Sequence, residues 1–169
     1  MRKGARISKC GNYRYKLWRI WDKDKPKVMF LMLNPSTADG TNDDPTIRRC
    51  IGYAKSWGYG GLVVCNLFAY RSTHPETLLY CEETLGINPI GDRNITTIFR
   101  QASKVDKIIC AWGNEKIVNK LIDDRLRSSL IILKDRLYIL ELSKYGVPKH
   151  PLYLKKDLKP ILWQKRTHM

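Results

Sequence analysis

Four short, predominantly apolar runs constrain this chain more than any other feature: "VMFLML" at 28–33, "GLVVCNLFAY" at 61–70, "KIICAW" at 107–112 and "RLYILEL" at 136–142. The first reads as a strand buried on both faces, the second and third as further buried strands and the last as a fourth strand, the pattern of a sheet covered by helices on either side. The segments between them carry helical signals. Asp44 is an N-cap candidate with Pro45 at the first helical position. Ile47, Ile51, Ala54 and Trp57 follow at helical spacing, and Gly58 closes the element. Thr73 or His74 before Pro75 starts a short helix, and residues 91–103 read as another. Residues 114–133 place Ile117, Leu121, Ile122 and Leu126 on one helical face.

Strand alternating with helix predicts an α/β fold with three layers and a mainly parallel four-stranded sheet. Ahead of it, "YRYKLWRIW" at 13–21 is rich in β-formers and predicts an added N-terminal strand, alone or in a hairpin with the run at 28–33. The expected organisation is a single domain, 1–169, with a basic strand region at 1–27, an α/β core at 28–154 and a basic tail at 155–169.

The charge is concentrated at the ends. Of the net +15, residues 1–27 hold ten Lys/Arg against two acids and residues 143–169 hold seven against one, while the middle is nearly balanced. Such a field attracts polyanions by counterion release. Aromatics interleaved with the basic residues at 13–21 and 152–166 point to nucleic acid, although charge alone does not separate DNA from RNA or an acidic membrane. No apolar run approaches the roughly 18 residues of a membrane span. The five cysteines (10, 50, 65, 81 and 110) contain no Cys-x-x-Cys pair, which argues against a disulfide framework or a metal site. A monomeric cytoplasmic protein without metal or cofactor is expected.

In a parallel sheet, ligands bind outside the carboxyl ends of the strands. The first strand ends in Asn34-Pro35-Ser36-Thr37, the second in Asn66, and the third in Trp112-Gly113-Asn114. The fourth runs into "SKYGVPKHPLYL", which carries His150. Three amides, two hydroxyls and one histidine make a site of modest charge. The loop at 34–44, "NPSTADGTNDD", is too long and too rich in hydrogen-bonding groups for a simple turn, and reads as a binding loop. His74 looks structural, and His168 falls in the tail.

Taken together, "LNPSTAD", "DPT", "WG" and the terminal "HPLYL", spanning residues 31–154, resemble the signature of an uncharacterised protein family. More distantly, the layout resembles the uracil-DNA glycosylase superfamily, with its parallel sheet, Asn after the second strand, Trp-Gly after the third and His-Pro after the fourth. That resemblance implies hydrolysis of the N-glycosidic bond of a flipped-out base in DNA. Asn34 would position the water, Asn66 would read the base edge and His150 would stabilise the leaving base. Pro35, Ser36, Thr37, Asp39, Phe68, Trp112 and Gly113 would surround the base. Lys144, Lys149, Lys155 and Lys156 would hold the DNA backbone, and Leu152 or Tyr153 would act as the wedge. A binding module without turnover, or an enzyme on free nucleosides or nucleotides, are the alternative readings.

Overall fold

The first three apolar runs bury both their faces, and the fold meets that requirement by making all four runs parallel neighbours. The computed structural model describes residues 1–80, 89–113, 115–122 and 124–163. Its strands are β1 (Arg2–Ile7), β2 (Arg14–Ile20), β3 (Lys27–Met32), β4 (Gly61–Asn66), β5 (Ile108–Cys110), β6 (Leu137–Ile139) and β7 (Ile161–Leu162). They form one seven-stranded sheet in the order β1-β2-β4-β3-β5-β6-β7. Within it, β4, β3, β5 and β6 run parallel, with Phe30 opposite Val64 on one side and Ile109 on the other.

The sheet is nonetheless mixed, and this corrects the expected mainly parallel four-stranded architecture. β2 pairs antiparallel with β4, β1 antiparallel with β2, and β7 antiparallel with β6. The expected hairpin between residues 13–21 and 28–33 does not form either. β3 is apolar at five of its six positions and fully buried at those five, so it takes the centre between β4 and β5. β2 keeps Lys16 and Trp18 half-buried and belongs further out, where its hairpin partner is β1.

Alternate residues of the central strands feed two cores. Met29, Leu31, Cys65, Ile108 and Cys110 face one side, under α2 (Pro89–Ala102), α3 (Glu115–Leu121) and α4 (Asp124–Ile132). Val28, Phe30, Leu62, Val64 and Ile109 face the other, under α1 (Pro45–Ser56) through Ile47, Cys50, Tyr53 and Ala54. Three layers result. The single helical face expected over 114–133 is divided between α3 and α4. Ile117 and Leu126 are buried, with Leu121 and Ile122 packed beside them, so one apolar face survives the break. The thiols of Cys50, Cys65 and Cys110 are buried packing groups, and burial pushes the Cys65 thiol up to about 12. Cys81, Asn114, His168 and the tail from residue 164 lie outside the described residues. None of the described helices is long and apolar enough to cross a membrane.

α1 begins as its sequence dictates. The Asp44 side chain accepts from the Ile47 N–H at 2.8 Å, and Pro45 occupies the first turn. The loop before it is held from behind by β2. Arg19 is fully buried. Its Nε donates to the Asp43 carboxylate at 2.7 Å, and its remaining N–H groups reach the carbonyls of Gly4, Trp18, Asp39 and Asn42. One guanidinium thus ties β1, β2 and the loop together. A buried charge is tolerated only when its donors are answered, and removing one partner leaves the other unpaired. Arg19→Ala should therefore lower stability by about 3 kcal/mol. Arg19→Lys should recover only part of that loss, because an ammonium lacks the planar fork. Urea denaturation of the three proteins measures both.

Candidate active site

The parallel arrangement brings the ends of β3, β4, β5 and β6 to one edge. Pairing between β3 and β4 continues past the strands, as Leu67 N–H donates to Met32 O at 2.8 Å and Phe68 N–H to Leu33 O at 3.0 Å. Asn34 and Asn66 consequently stand on adjacent chains.

Both amides are oriented by neighbours. Asn34 Nδ2 donates to Ser72 O at 2.8 Å and to Pro35 O at 3.0 Å. Its Oδ1 is therefore the end turned away from Ser72, and it accepts no hydrogen bond among the described residues. Asn66 is oriented in the opposite sense. Its Oδ1 accepts from Arg14 Nη2 at 3.3 Å, so Nδ2 faces away as a donor. Arg14 is 2% exposed and also donates from Nη1 to Ala38 O at 2.8 Å, joining the end of β4 to the β3–α1 loop. Burial lowers its pKa to about 10, so it remains charged at neutral pH. Among the described residues, the buried Arg14 Nε, Arg71 Nε and Asn94 Oδ1 have no hydrogen-bond partner. Asn94 Nδ2 donates to the Asn66 and Leu67 carbonyls and anchors this strand end from α2.

The other two strand ends meet directly. After β6, the chain turns at Gly146 and returns through Pro148, whose carbonyl accepts from Gly113 N–H at 2.9 Å. Gly113 has φ of +59°, and a Cβ there would lie 3.1 Å from His150 Cβ. Glycine is required on both counts: a side chain would be strained in the left-handed region and would press on the histidine. His150 itself caps the 3-10 turn at Pro151–Tyr153, with Nδ1 accepting from Leu152 N–H at 3.3 Å. Its Nε2 is then the protonated nitrogen of the neutral ring. Burial holds the imidazole pKa below its ordinary value, opposed in part by the Asp44 carboxylate. The result is a neutral histidine with a donor at Nε2.

The remaining candidates divide. Pro35 is buried, Ser36 half-buried and Thr37 exposed. Asp39 spends its carboxylate inside the loop, accepting from the N–H groups of Asn42 and Thr41 at 2.7 Å and from both their side chains. Those bonds hold its carboxyl well below the usual carboxylate range. Phe68 and Trp112 are core residues, each 3% exposed, and Trp112 packs edge-on against Trp163 at 5.5 Å, so neither ring offers an open stacking face. Tyr153 is the opposite, 83% exposed beside the His150 ring. Lys149 pairs with Glu141, Lys144 lies over the Tyr145 ring, and Lys155 and Lys156 are exposed. A cavity of about 600 Å³ opens between α1 and Leu152, beside the HPLYL segment and away from Asn34 and Asn66. Among the described residues, no three His, Cys, Asp or Glu side chains gather as metal ligands do.

Sequence reasoning missed Arg14, Arg19 and Asn94. The two arginines sat inside a basic stretch that read as a solvated field, and only their place on a strand with buried neighbours could have marked them.

The fold and these strand ends define an α/β protein with a polar site at the carboxyl edge of its parallel strands. Residues 14–152 match the family described as a protein of unknown function (DUF1643), and the chain belongs to that family. No curated protein and no solved structure matches the chain. Neither comparison supports the resemblance to uracil-DNA glycosylases.

Two outcomes follow from His150. The unfolded chain binds a proton at this imidazole more readily than the folded one, so the histidine costs no stability above its ordinary pKa of about 6.5 and destabilises the fold as pH drops below it toward the folded value. His150→Gln should flatten that part of the pH–stability curve, measured by urea denaturation between about pH 5 and about pH 7.5. Gly113→Ala should displace His150, lowering stability by about 1 to 3 kcal/mol and shifting the histidine's NMR titration toward its ordinary value.

Proposed function

We propose that this protein hydrolyses the N-glycosidic bond of a nucleobase, as a DNA glycosylase-like enzyme acting on a damaged or modified base. The observation that carries the reading is the hydrogen bonding of His150: Nδ1 accepts from Leu152 N–H, which leaves Nε2 as the donor of the neutral ring that burial favours. Cleavage of an N-glycosidic bond leaves negative charge on the departing base, and a fixed neutral donor aimed at a base carbonyl stabilises that charge. The two amides suit the other tasks. Asn34, with Nδ2 engaged, offers Oδ1 to orient a water. Asn66, with Oδ1 engaged by Arg14, offers Nδ2 to an acceptor on the base edge. No strong base is needed, since an oxocarbenium-like sugar reacts readily with an oriented water.

Excision from oligonucleotides bearing uracil, hypoxanthine, hydroxymethylated or glucosylated bases, followed under single-turnover conditions, tests the reading. His150→Ala should cost about 100- to 1000-fold, with a smaller loss for bases that leave easily. Asn34→Ala should lower the rate with little change in affinity, while Asn66→Ala should relax which base is accepted. Equal losses for every base would remove His150 from the leaving-group role, and full activity in all three variants would refute the proposal.

A further inference from the structure

The cavity between α1 and the HPLYL segment has no part in bond breaking as described, yet its chemistry is specific. One wall is α1, with the exposed Arg48 and Gly52, the half-buried Arg49 and the edge of the buried Tyr53; the other is Leu152 and Lys156. Three cations and no carboxylate line it. The walls are tied at the floor. Arg49 donates to the Leu152 carbonyl at 3.1 Å, and the Tyr53 hydroxyl donates to the Lys155 carbonyl. Arg48 reaches back to the Asp43 carbonyl and remains exposed. The groove therefore has a fixed width, set by bonds that do not involve any ligand. Gly52 faces open space, since a Cβ there would meet nothing within 4 Å, so a side chain can be added at this lining position without crowding. Next in the chain to the lining residue Leu152, Tyr153 presents an exposed ring 5.9 Å from the His150 imidazole.

We infer that this groove holds the phosphodiester backbone of a single-stranded nucleic-acid segment, with Arg48, Arg49 and Lys156 on the phosphates and Tyr153 stacking a base beside the site. A basic groove that tracks a backbone, with an aromatic ring for the bases, is the recurrent chemistry of single-strand binding. The arginine forks suit phosphate oxygens better than ammonium groups do. An acidic peptide is less well served, because its carboxylates do not bring bases to stack on Tyr153. The inference rests on the proposed function in placing a base at His150, and adds that the substrate is a polymer, not a free nucleoside. α1 thereby acquires a role that its sequence, an ordinary amphipathic helix, does not announce.

The test uses the full-length protein and a labelled mixed-sequence single-stranded DNA oligonucleotide, with anisotropy read over a salt series. Wild-type affinity should fall as salt rises. Arg48→Gln combined with Lys156→Gln should weaken binding and lower the slope of log K against log salt by about 1.4, because each phosphate neutralised on a single strand contributes about 0.7. Gly52→Glu places a carboxylate at that lining position without crowding and should weaken binding about tenfold or more, while Gly52→Gln stays close to wild type. Tyr153→Ala should weaken binding without changing the slope. Circular dichroism and thermal melts confirm that each variant is folded. Absence of binding by the wild type, an unchanged slope in the double variant, or equal competition by a polyglutamate peptide would overturn the inference. The two readouts separate the two readings: the salt slope depends on Arg48 and Lys156, whereas excision depends on His150. Inactivity of every protein on every base with the salt slopes as stated would end the glycosylase reading and leave the groove intact.

Discussion

The buried guanidinium of Arg19 is the constraint on which the rest depends. Its charge is carried into a region with no solvent, where an unanswered donor or an unpaired charge costs several kcal/mol. Every donor it has is answered by β1, β2 or the β3–α1 loop. The loop therefore cannot relax away from β2 without stranding the arginine, and β2 cannot slide along β4 without stranding Asp43. This reciprocal dependence fixes where α1 starts, because Asp43 directly precedes the Asp44 cap. It also fixes the edge from which Asn34 emerges.

Arg14 repeats the device one strand end further on. It joins Ala38 to Asn66 and, by occupying Oδ1, decides which end of the amide a ligand would meet. Ser72 does the same for Asn34 with the opposite outcome, and Leu152 N–H does it for His150. Three polar groups that could each present either of two faces are each committed to one. Such preorganisation matters most where charge develops late in a reaction, since no reorientation is then required at the barrier. The strand ends carry little net charge of their own, and cations lie on α1 and just beyond the HPLYL segment, at Arg48, Arg49, Lys155 and Lys156.

Much of this is local enough to be legible in the amino-acid order. Asp44, Pro45 and the apolar spacing of Ile47 and Ala54 specify α1 with almost no reference to the rest of the chain, because capping and helical periodicity act within a few residues. The central strands are legible for a related reason: a segment such as "VMFLML" has no polar face to offer water and must lie between two layers. The order of the motifs likewise implied that Asn34, Asn66, Gly113 and His150 would share an edge, since parallel strands present all their carboxyl ends together.

The outer strands were not legible in the same way. "RKGARI" and "IL" carry no strand pattern of their own and become β1 and β7 because an adjacent edge supplies hydrogen bonds. β2 chose β1 and β4 over β3 because pairing partners are selected by burial across the whole sheet, a quantity that no stretch of sequence contains. The same holds for Arg14 and Arg19, whose side chains would be solvated anywhere but here, and for Phe68 and Trp112, whose rings went to the core. The amino-acid sequence by itself determined the layered α/β class, the capped helix and the set of polar groups at one edge, because propensity, capping and two-sided burial are local requirements. Only the tertiary structure decided which arginines are buried, which face each amide turns outward and that burial favours the neutral form of His150, because desolvation and hydrogen-bond partners come from residues far apart in the chain.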